Sequence, residues 1–492
     1  MKDRKKSIIW VILYLSFVFL VLGMIARTVI RIDPFFHYHK PLVDEYYYEI
    51  NNERSQNDGI AKNFDYDAII TGTSMTNNFK TSELDELFDV HSVKLPYEGA
   101  TYKEINDNVV NALEHNQDLR LVVRGLDIVK IIEDKDNMRD DLGYYPTYLF
   151  DDNVFNDVNY IFNRDVIFSR VYPMNTATIK EGFEPGVTSF DEYDNWMSIA
   201  AFGMNTVKPK GASRVLGAKP KHLSDEEKET LLENVKKNVT SVAADHPDVT
   251  FYYFLTPYSA LWWLHYANDG AIYRQVESER YLIEEALKYD NIKLFMFSNL
   301  SEITTDINNY CDVSHYGEWI NSLILKYMYD GKCQLTRDNY ENFLEKELEL
   351  YLTFDYNSLN DQQDYENDYY AAALLNEEIN GVKPLAIEEN ALEKTKAGGF
   401  EISIDVTDYD YLVFYGQKTK SSGQPMVYIY DETGVDVAEL IKSYDEIDDS
   451  IHQYLMDISS LSGNVRIVFN GEYENDVDDD ESEFLFSDIT LY

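Results

Sequence analysis

Tyr66-Asp67-Ala68-Ile69-Ile70-Thr71-Gly72-Thr73-Ser74 is a short apolar run that ends in a glycine and two hydroxyl residues. A run of that length suits a strand buried on both faces that enters a loop at its carboxyl end. Leu119 to Gly125, Val249 to Leu255 and Asn291 to Phe297 have the same character, and His91 to Leu95 is a weaker copy. Helical patterns separate them. Ser224-Asp225-Glu226-Glu227 is a capping box, serine followed three residues later by glutamate, and it opens an amphipathic helix to about Val242. Ala271 to Tyr289 and Gly317 to Met328 continue the alternation. The expectation is an α/β fold, a doubly wound parallel sheet with helices on both faces.

Such sheets gather ligands and reactive groups at the carboxyl ends of their strands. Ser74 stands at the end of the first strand, and Tyr310-Cys311-Asp312-Val313-Ser314-His315-Tyr316 follows the last. Alone, a serine in that position is most often a helix N-cap, and Asp-x-x-His is most often a surface turn. Together they supply a nucleophile, a base and a carboxylate to orient the base. A serine hydroxyl attacks a carbonyl only if a base takes its proton, and neutral imidazole suits that task. Asp312, three residues before His315, is placed to fix the tautomer. His265 is a competing base without the Asp-x-x spacing.

Composition sets bounds on partners. The 492 residues carry 88 Asp+Glu against 43 Lys+Arg, a net charge of −45, which excludes bulk attraction to nucleic acid. An apolar content of 45%, with 14% aromatic residues, excludes a disordered chain. Residues 351–492 hold 32 acids and 7 bases, so the carboxyl-terminal part differs in character. At the other end, Lys2, Arg4, Lys5 and Lys6 precede an uncharged run from Ser7 to Ala26. As a helix that run spans roughly 30 Å, the thickness of a bilayer core. Arg27 and Arg31 follow in place of a small-x-small cleavage site, so an uncleaved single-pass anchor is expected, its amino terminus in the cytoplasm and the rest outside. Cys311 and Cys333 fit neither a disulfide framework nor a metal site, and their spacing leaves a bridge between them open. With no P-loop, no Gly-x-Gly-x-x-Gly and no paired histidines, no metal or cofactor is expected.

The strand followed by Gly-x-Ser, with Asp-x-x-His near the end of the α/β region, resembles the SGNH/GDSL hydrolase superfamily. The anchored, exported arrangement is similar to its branch containing the teichoic-acid D-alanylation protein DltD and the alginate-acetylation proteins. The resemblance implies acyl-ester hydrolysis or transfer, often on polysaccharides. It makes Ser74 the nucleophile, His315 the base and Asp312 its partner. The amides of Ser74 and Gly99, the latter in Pro96-Tyr97-Glu98-Gly99-Ala100, would form the oxyanion hole. Two blocks depart from the family pattern. Gly-Thr-Ser replaces Gly-Asp-Ser, and Arg124-Gly125-Leu126-Asp127 puts a leucine where the oxyanion asparagine would stand. Asn78 and Arg124 are candidate substitutes that could contact substrate. A lost oxyanion donor typically costs about 3 kcal/mol of transition-state stabilisation.

Five segments are expected. Residues 1–30 form the basic flank and anchor, 31–64 a juxtamembrane segment, 65–332 the SGNH-like domain with an insertion at 128–222, 333–361 a helical linker, and 362–492 a sandwich. The insertion is rich in aromatic residues, among them Tyr144, Tyr145, Tyr148, Phe150, Tyr160 and Phe162, which stack on sugars or pack a lid. Lys208, Lys210, Arg214, Lys219 and Lys221 form a basic loop within it. Thr256-Pro257-Tyr258, with Trp262 and Trp263, is expected to wall the cleft. Beyond Phe400 the period becomes 2, which predicts an antiparallel β-sandwich of jelly-roll type resembling carbohydrate-binding modules. The Asp476 to Glu481 run reads as a solvated loop, with Ca²⁺ binding as the alternative. The resemblance implies as partners a cell-surface polysaccharide or teichoic-acid-like polymer and a multi-pass membrane acyltransferase that supplies acyl groups, and the amino-terminal apolar run implies the membrane through one helix. The alternative function is a non-catalytic glycan-binding or assembly scaffold.

Overall fold

The computed structural model describes residues 2–139, 146–151, 153–180, 182–197, 200–207, 212–214, 217–360, 362, 385–388, 391–394, 399–409, 411–418, 426–431, 433–441, 451–458, 461–470 and 484–491. Tyr144, Tyr145, Lys208, Lys210 and the Asp476 to Glu481 run lie outside them.

Helix α1 (Lys2–Ile32) is long and apolar enough to cross a membrane. Its apolar side chains from Ile8 to Met24 are largely exposed, whereas Val29 and Ile32 are buried against the domain that follows. Next come α2 (Glu53–Asn63), β1 (Ala68–Gly72), α3 (Thr81–Phe88), β2 (Ser92–Pro96), α4 (Tyr102–His115) and β3 (Leu121–Leu126). After the insertion come α5 (Asp225–Val235), β4 (Thr250–Leu255), α6 (Ala260–Asp269), α7 (Ile272–Ala286), β5 (Ile292–Met296), α8 (Glu318–Asp330), β6 (Gln334–Leu335) and α9 (Tyr340–Thr353). The sheet order is β2-β1-β3-β4-β5-β6, parallel throughout except for β6, which pairs antiparallel with β5. Side chains of β1, β2 and β3 are buried at every position, as expected of strands covered on both faces. The capping box at Ser224 is formed, and the helix it opens continues through a π-helical turn at Lys236–Thr240 to Asp245.

Residues 333–360, read from sequence as a linker, pack into this α/β core. Tyr351 on α9 stacks on Trp263 at 4.1 Å, which makes Trp263 a core residue and takes it out of the cleft wall. No disulfide joins Cys311 and Cys333. The carboxyl-terminal strands form two antiparallel sheets. Among the described residues one has five strands built around Phe400–Asp405, Asn464–Asn470, Met426–Tyr430 and Asp436–Ile441, and the other has four built around Ile451–Asp457, Tyr411–Lys418 and Phe484–Leu491. Leu412, Phe414, Ile467, Phe469 and Leu491, drawn from both sheets, share one apolar core.

Where α7 packs on α9, Glu279 and Glu347 are both fully buried. Burial, reinforced at Glu347 by the neighbouring carboxyl, raises both above the ordinary value of 4.5, Glu279 to about 7. A raised folded-state pKa contributes stability that is full below about 4.5 and is lost as pH rises through the folded value. The expected result is a melting temperature that falls from mildly acidic to alkaline pH, with Glu347→Gln flattening the fall. Thermal melts across pH check this, and an equal slope in the variant would contradict it.

Candidate active site

The turn at Ser74 is shaped by its neighbours. Gly72 has a positive φ of 154°, and a Cβ there would lie 2.6 Å from the Thr76 methyl, so only glycine lets the chain turn so tightly. Thr73 caps a single 3₁₀ turn, Ser74–Thr76, and the Thr76 hydroxyl returns 2.8 Å to the Thr73 carbonyl. The Ser74 amide begins this turn. Among the described residues neither it nor the Gly99 amide has a hydrogen-bond acceptor, leaving both N–H groups available to a ligand oxygen.

The histidine arrives on a second loop. Tyr310 and Tyr316 pair across its base as an antiparallel bridge, and the Cys311 amide donates to the His315 carbonyl at 3.0 Å. Within it, one Asp312 carboxylate oxygen accepts the Ser314 and His315 amides, each at 2.8 Å. The other oxygen is 2.7 Å from His315 Nδ1, and His315 Nε2 is 2.8 Å from Ser74 Oγ. A carboxylate bound to Nδ1 fixes the proton on that nitrogen and leaves Nε2 as the acceptor facing serine. Burial works to raise the Asp312 pKa, but the His315 ring and the two amides outweigh it and hold the carboxyl at about 2. Burial works to lower the His315 pKa, but its bond to Asp312 and that carboxylate's charge, with Asp127 and Glu98 adding to them, hold the imidazole above the usual 6.5. The arrangement can therefore move a proton from Ser74 to His315 and stabilise the imidazolium that forms.

The cleft above Ser74 encloses about 450 Å³ and is lined by Ser74, Glu98, Gly99, Arg139, Trp196, Cys311 and His315. Gly99 has φ +60°, and a Cβ there would meet the Arg139 guanidinium at 2.4 Å. Arg139 donates to the Gly99 carbonyl at 2.7 Å. Trp196, from the insertion, stands edge-on to His315 at 5.7 Å, and its indole N–H donates to the Ser74 carbonyl at 3.3 Å.

Ser74, His315, Asp312 and Gly99 are thus brought together, but two expected residues lie elsewhere. Arg124 is fully buried, and its guanidinium donates to the Asn238 and Tyr102 carbonyls at 2.7 and 3.2 Å. It ties β3 to the helices covering it and does not meet substrate. Strand parity explains this, because Arg124 shares the face of Val122 and Leu126. Asn78 is also buried, and its side-chain oxygen accepts the Trp196 amide at 3.1 Å, so it holds the cleft wall in place. The competing base, His265, lies exposed on α6. Among the described residues no cluster of three His, Cys, Asp or Glu side chains forms a metal site.

Sequence reasoning missed Asp127, the residue after β3. It is buried, and its carboxylate accepts hydroxyl groups from Thr73, from Tyr258 at 2.5 Å and from Thr256 at 3.3 Å. Thr256-Pro257-Tyr258 therefore supports the site from beneath. The strand-end rule that selects Ser74 also selects Asp127.

No family model matches this chain, and no curated protein matches it. Among solved structures it is similar to a two-domain esterase active on acetylated mannans, at 11% identity over 86% of this chain and 89% of that one, with a TM-score of 0.21. It is similar also to a Paenibacillus cycloisomaltooligosaccharide glucanotransferase, at 10% identity over 54% and 31% of the two chains, with a TM-score of 0.21. A third is the capsular polysaccharide assembling protein CapF of Staphylococcus aureus, at 11% identity over 86% and 95%, with a TM-score of 0.14. At such TM-scores these likenesses establish neither fold nor function.

Proposed function

We propose that this chain is a membrane-anchored serine enzyme of the SGNH type, an esterase or acyltransferase acting on O-acyl groups of a cell-surface polysaccharide or teichoic-acid-like polymer. The observation that carries the chemistry is the unbroken relay from Ser74 Oγ through His315 to Asp312 at the carboxyl end of a parallel sheet. Ser74 Oγ would attack the acyl carbonyl carbon as His315 Nε2 takes the hydroxyl proton. The oxyanion would meet the Ser74 and Gly99 amides. Collapse would expel the alcohol, which receives the proton from His315, and leave the acyl group on Ser74. Water, or a hydroxyl of an acceptor, would then attack the ester with His315 again as base, restoring the free serine. The polymer class, the partner acyltransferase and a carbohydrate-binding role for the carboxyl-terminal sheets follow from the family resemblance.

Release of p-nitrophenol from its acetate ester, with and without a polysaccharide acceptor, tests this reading. Hydrolysis with capture of the acetyl group by the acceptor supports transfer, and hydrolysis alone supports an esterase. Absence of both, with polysaccharide binding retained, would leave a glycan-binding scaffold as the function. A second expectation concerns pH. Because Asp312 and its neighbours hold the imidazole above 6.5, the acid limb of kcat/KM should lie above pH 6.5. A limb at or below that value would contradict the assignment of His315 as the base.

A further inference from the structure

Outside α1, a dense set of exposed apolar side chains lies in the insertion: Phe155, Val158, Phe162, Phe168, Tyr172 and Ile179, with Phe155 86% and Ile179 84% exposed. They sit on or beside three short helical turns, Val158–Ile161, Val166–Val171 and Tyr172–Ala177. The opposite side of these turns, through Tyr160, Val166 and Val171, is buried.

That buried side packs where α1 joins the domain. Phe35 stacks on Tyr160 at 5.4 Å, the Tyr160 hydroxyl donates to Asp33 at 2.8 Å, and the Tyr38 hydroxyl donates to Asp157 at 3.0 Å. The Arg170 guanidinium lies over the Phe35 ring at 6.0 Å. The insertion turns therefore pack beside the carboxyl end of α1, and the exposed apolar run of α1, Ile8 to Met24, continues from that end. The charge also fits a membrane surface. Residues 154–180 hold three basic and two acidic side chains in a chain whose net charge is −45. Exposed apolar and aromatic groups are unfavourable in water but are accommodated at the headgroup boundary of a bilayer.

We propose that residues 154–179 form a lipid-facing platform that rests in the interface of the bilayer α1 enters. The domain is then held to the membrane by two contacts, which fixes the cleft at a set height and orientation. This rests on α1 being a membrane anchor.

The test uses the full chain carrying Cys311→Ser and Cys333→Ser, reconstituted in phosphatidylcholine–phosphatidylglycerol vesicles. An NBD fluorophore is attached singly at Phe155→Cys, Phe168→Cys or Tyr172→Cys, at Leu13→Cys within α1, and at Glu229→Cys on the exposed face of α5. A headgroup-level nitroxide lipid should quench Phe155, Phe168 and Tyr172 labels several-fold more than the Glu229 label, with iodide showing the reverse order. Leu13 quenched from lipid while the three insertion labels behave like Glu229 would overturn the platform and leave the anchor standing. Leu13 unquenched by an acyl-chain nitroxide lipid, and open to iodide, would overturn the anchor, and the platform with it. Insertion labels shielded from both quenchers would overturn the lipid assignment in favour of a second copy covering this face.

Discussion

Replacing Ser74 by alanine is expected to lower ester turnover on the order of 10⁵-fold, since the nucleophile of a serine relay has no substitute within it. The protein should remain folded. Among the described residues the Ser74 hydroxyl's one side-chain partner is His315, and the turn around it is held by Gly72, Thr73 and Thr76. Its melting temperature should stay near that of the parent while activity disappears. A loss of activity with a matching loss of stability would mean that Ser74 is a structural cap. Residual turnover close to the parent rate would mean that another group performs the chemistry.

The second large effect is expected at Asp127. Its buried carboxylate collects hydroxyl groups from Thr73, Thr256 and Tyr258, so it fixes Thr73, the residue before Ser74, to the loop after β4. It also lies close enough to His315 for its negative charge to raise the imidazole pKa. Asp127→Asn keeps the shape and removes the charge. A hydrogen bond to a charged group contributes about 1.5–3 kcal/mol, so kcat should fall by about 10- to 100-fold. KM should change little, because Asp127 does not line the cleft. Three acids bear on His315: Asp312 from its own loop, Glu98 from the loop after β2, and Asp127 from the end of β3. Removing one should move the acid limb of kcat/KM to lower pH. A variant that loses stability without moving that limb would make Asp127 a packing residue alone.

Much of the α/β region is legible in the sequence because buried parallel strands and amphipathic helices write different periods. β1, β3, β4 and β5 are visible as apolar runs, and the capping box at Ser224 marks the start of α5. Ser74, Asp312 and His315 can be singled out because strand order and the strand-end rule act on local sequence. Residues whose role depends on distant partners are harder. Asp127 meets Thr256 and Tyr258, which lie about 130 positions away, and the sequence shows it only as the last letter of an altered block. Trp196 comes from an insertion without a regular period, so nothing local announces that it reaches His315. Arg124 illustrates the opposite error. A charged residue near a strand end invites a substrate role, whereas its parity along β3 sends the side chain under helices, where backbone carbonyls hold it. Likewise, α9 has the composition of a connector, and it is Tyr351 stacking on Trp263 and Glu347 buried against α7 that reveal it as part of the core.

The most direct test of the central claim is reaction of the full chain with a fluorophosphonate, followed by peptide mass mapping. An activated serine should carry the phosphonyl group on Ser74. Labelling should slow as His315 protonates below its raised pKa and should vanish in Ser74→Ala. An unmodified Ser74 peptide at pH 8, in protein shown to be folded, would contradict the account.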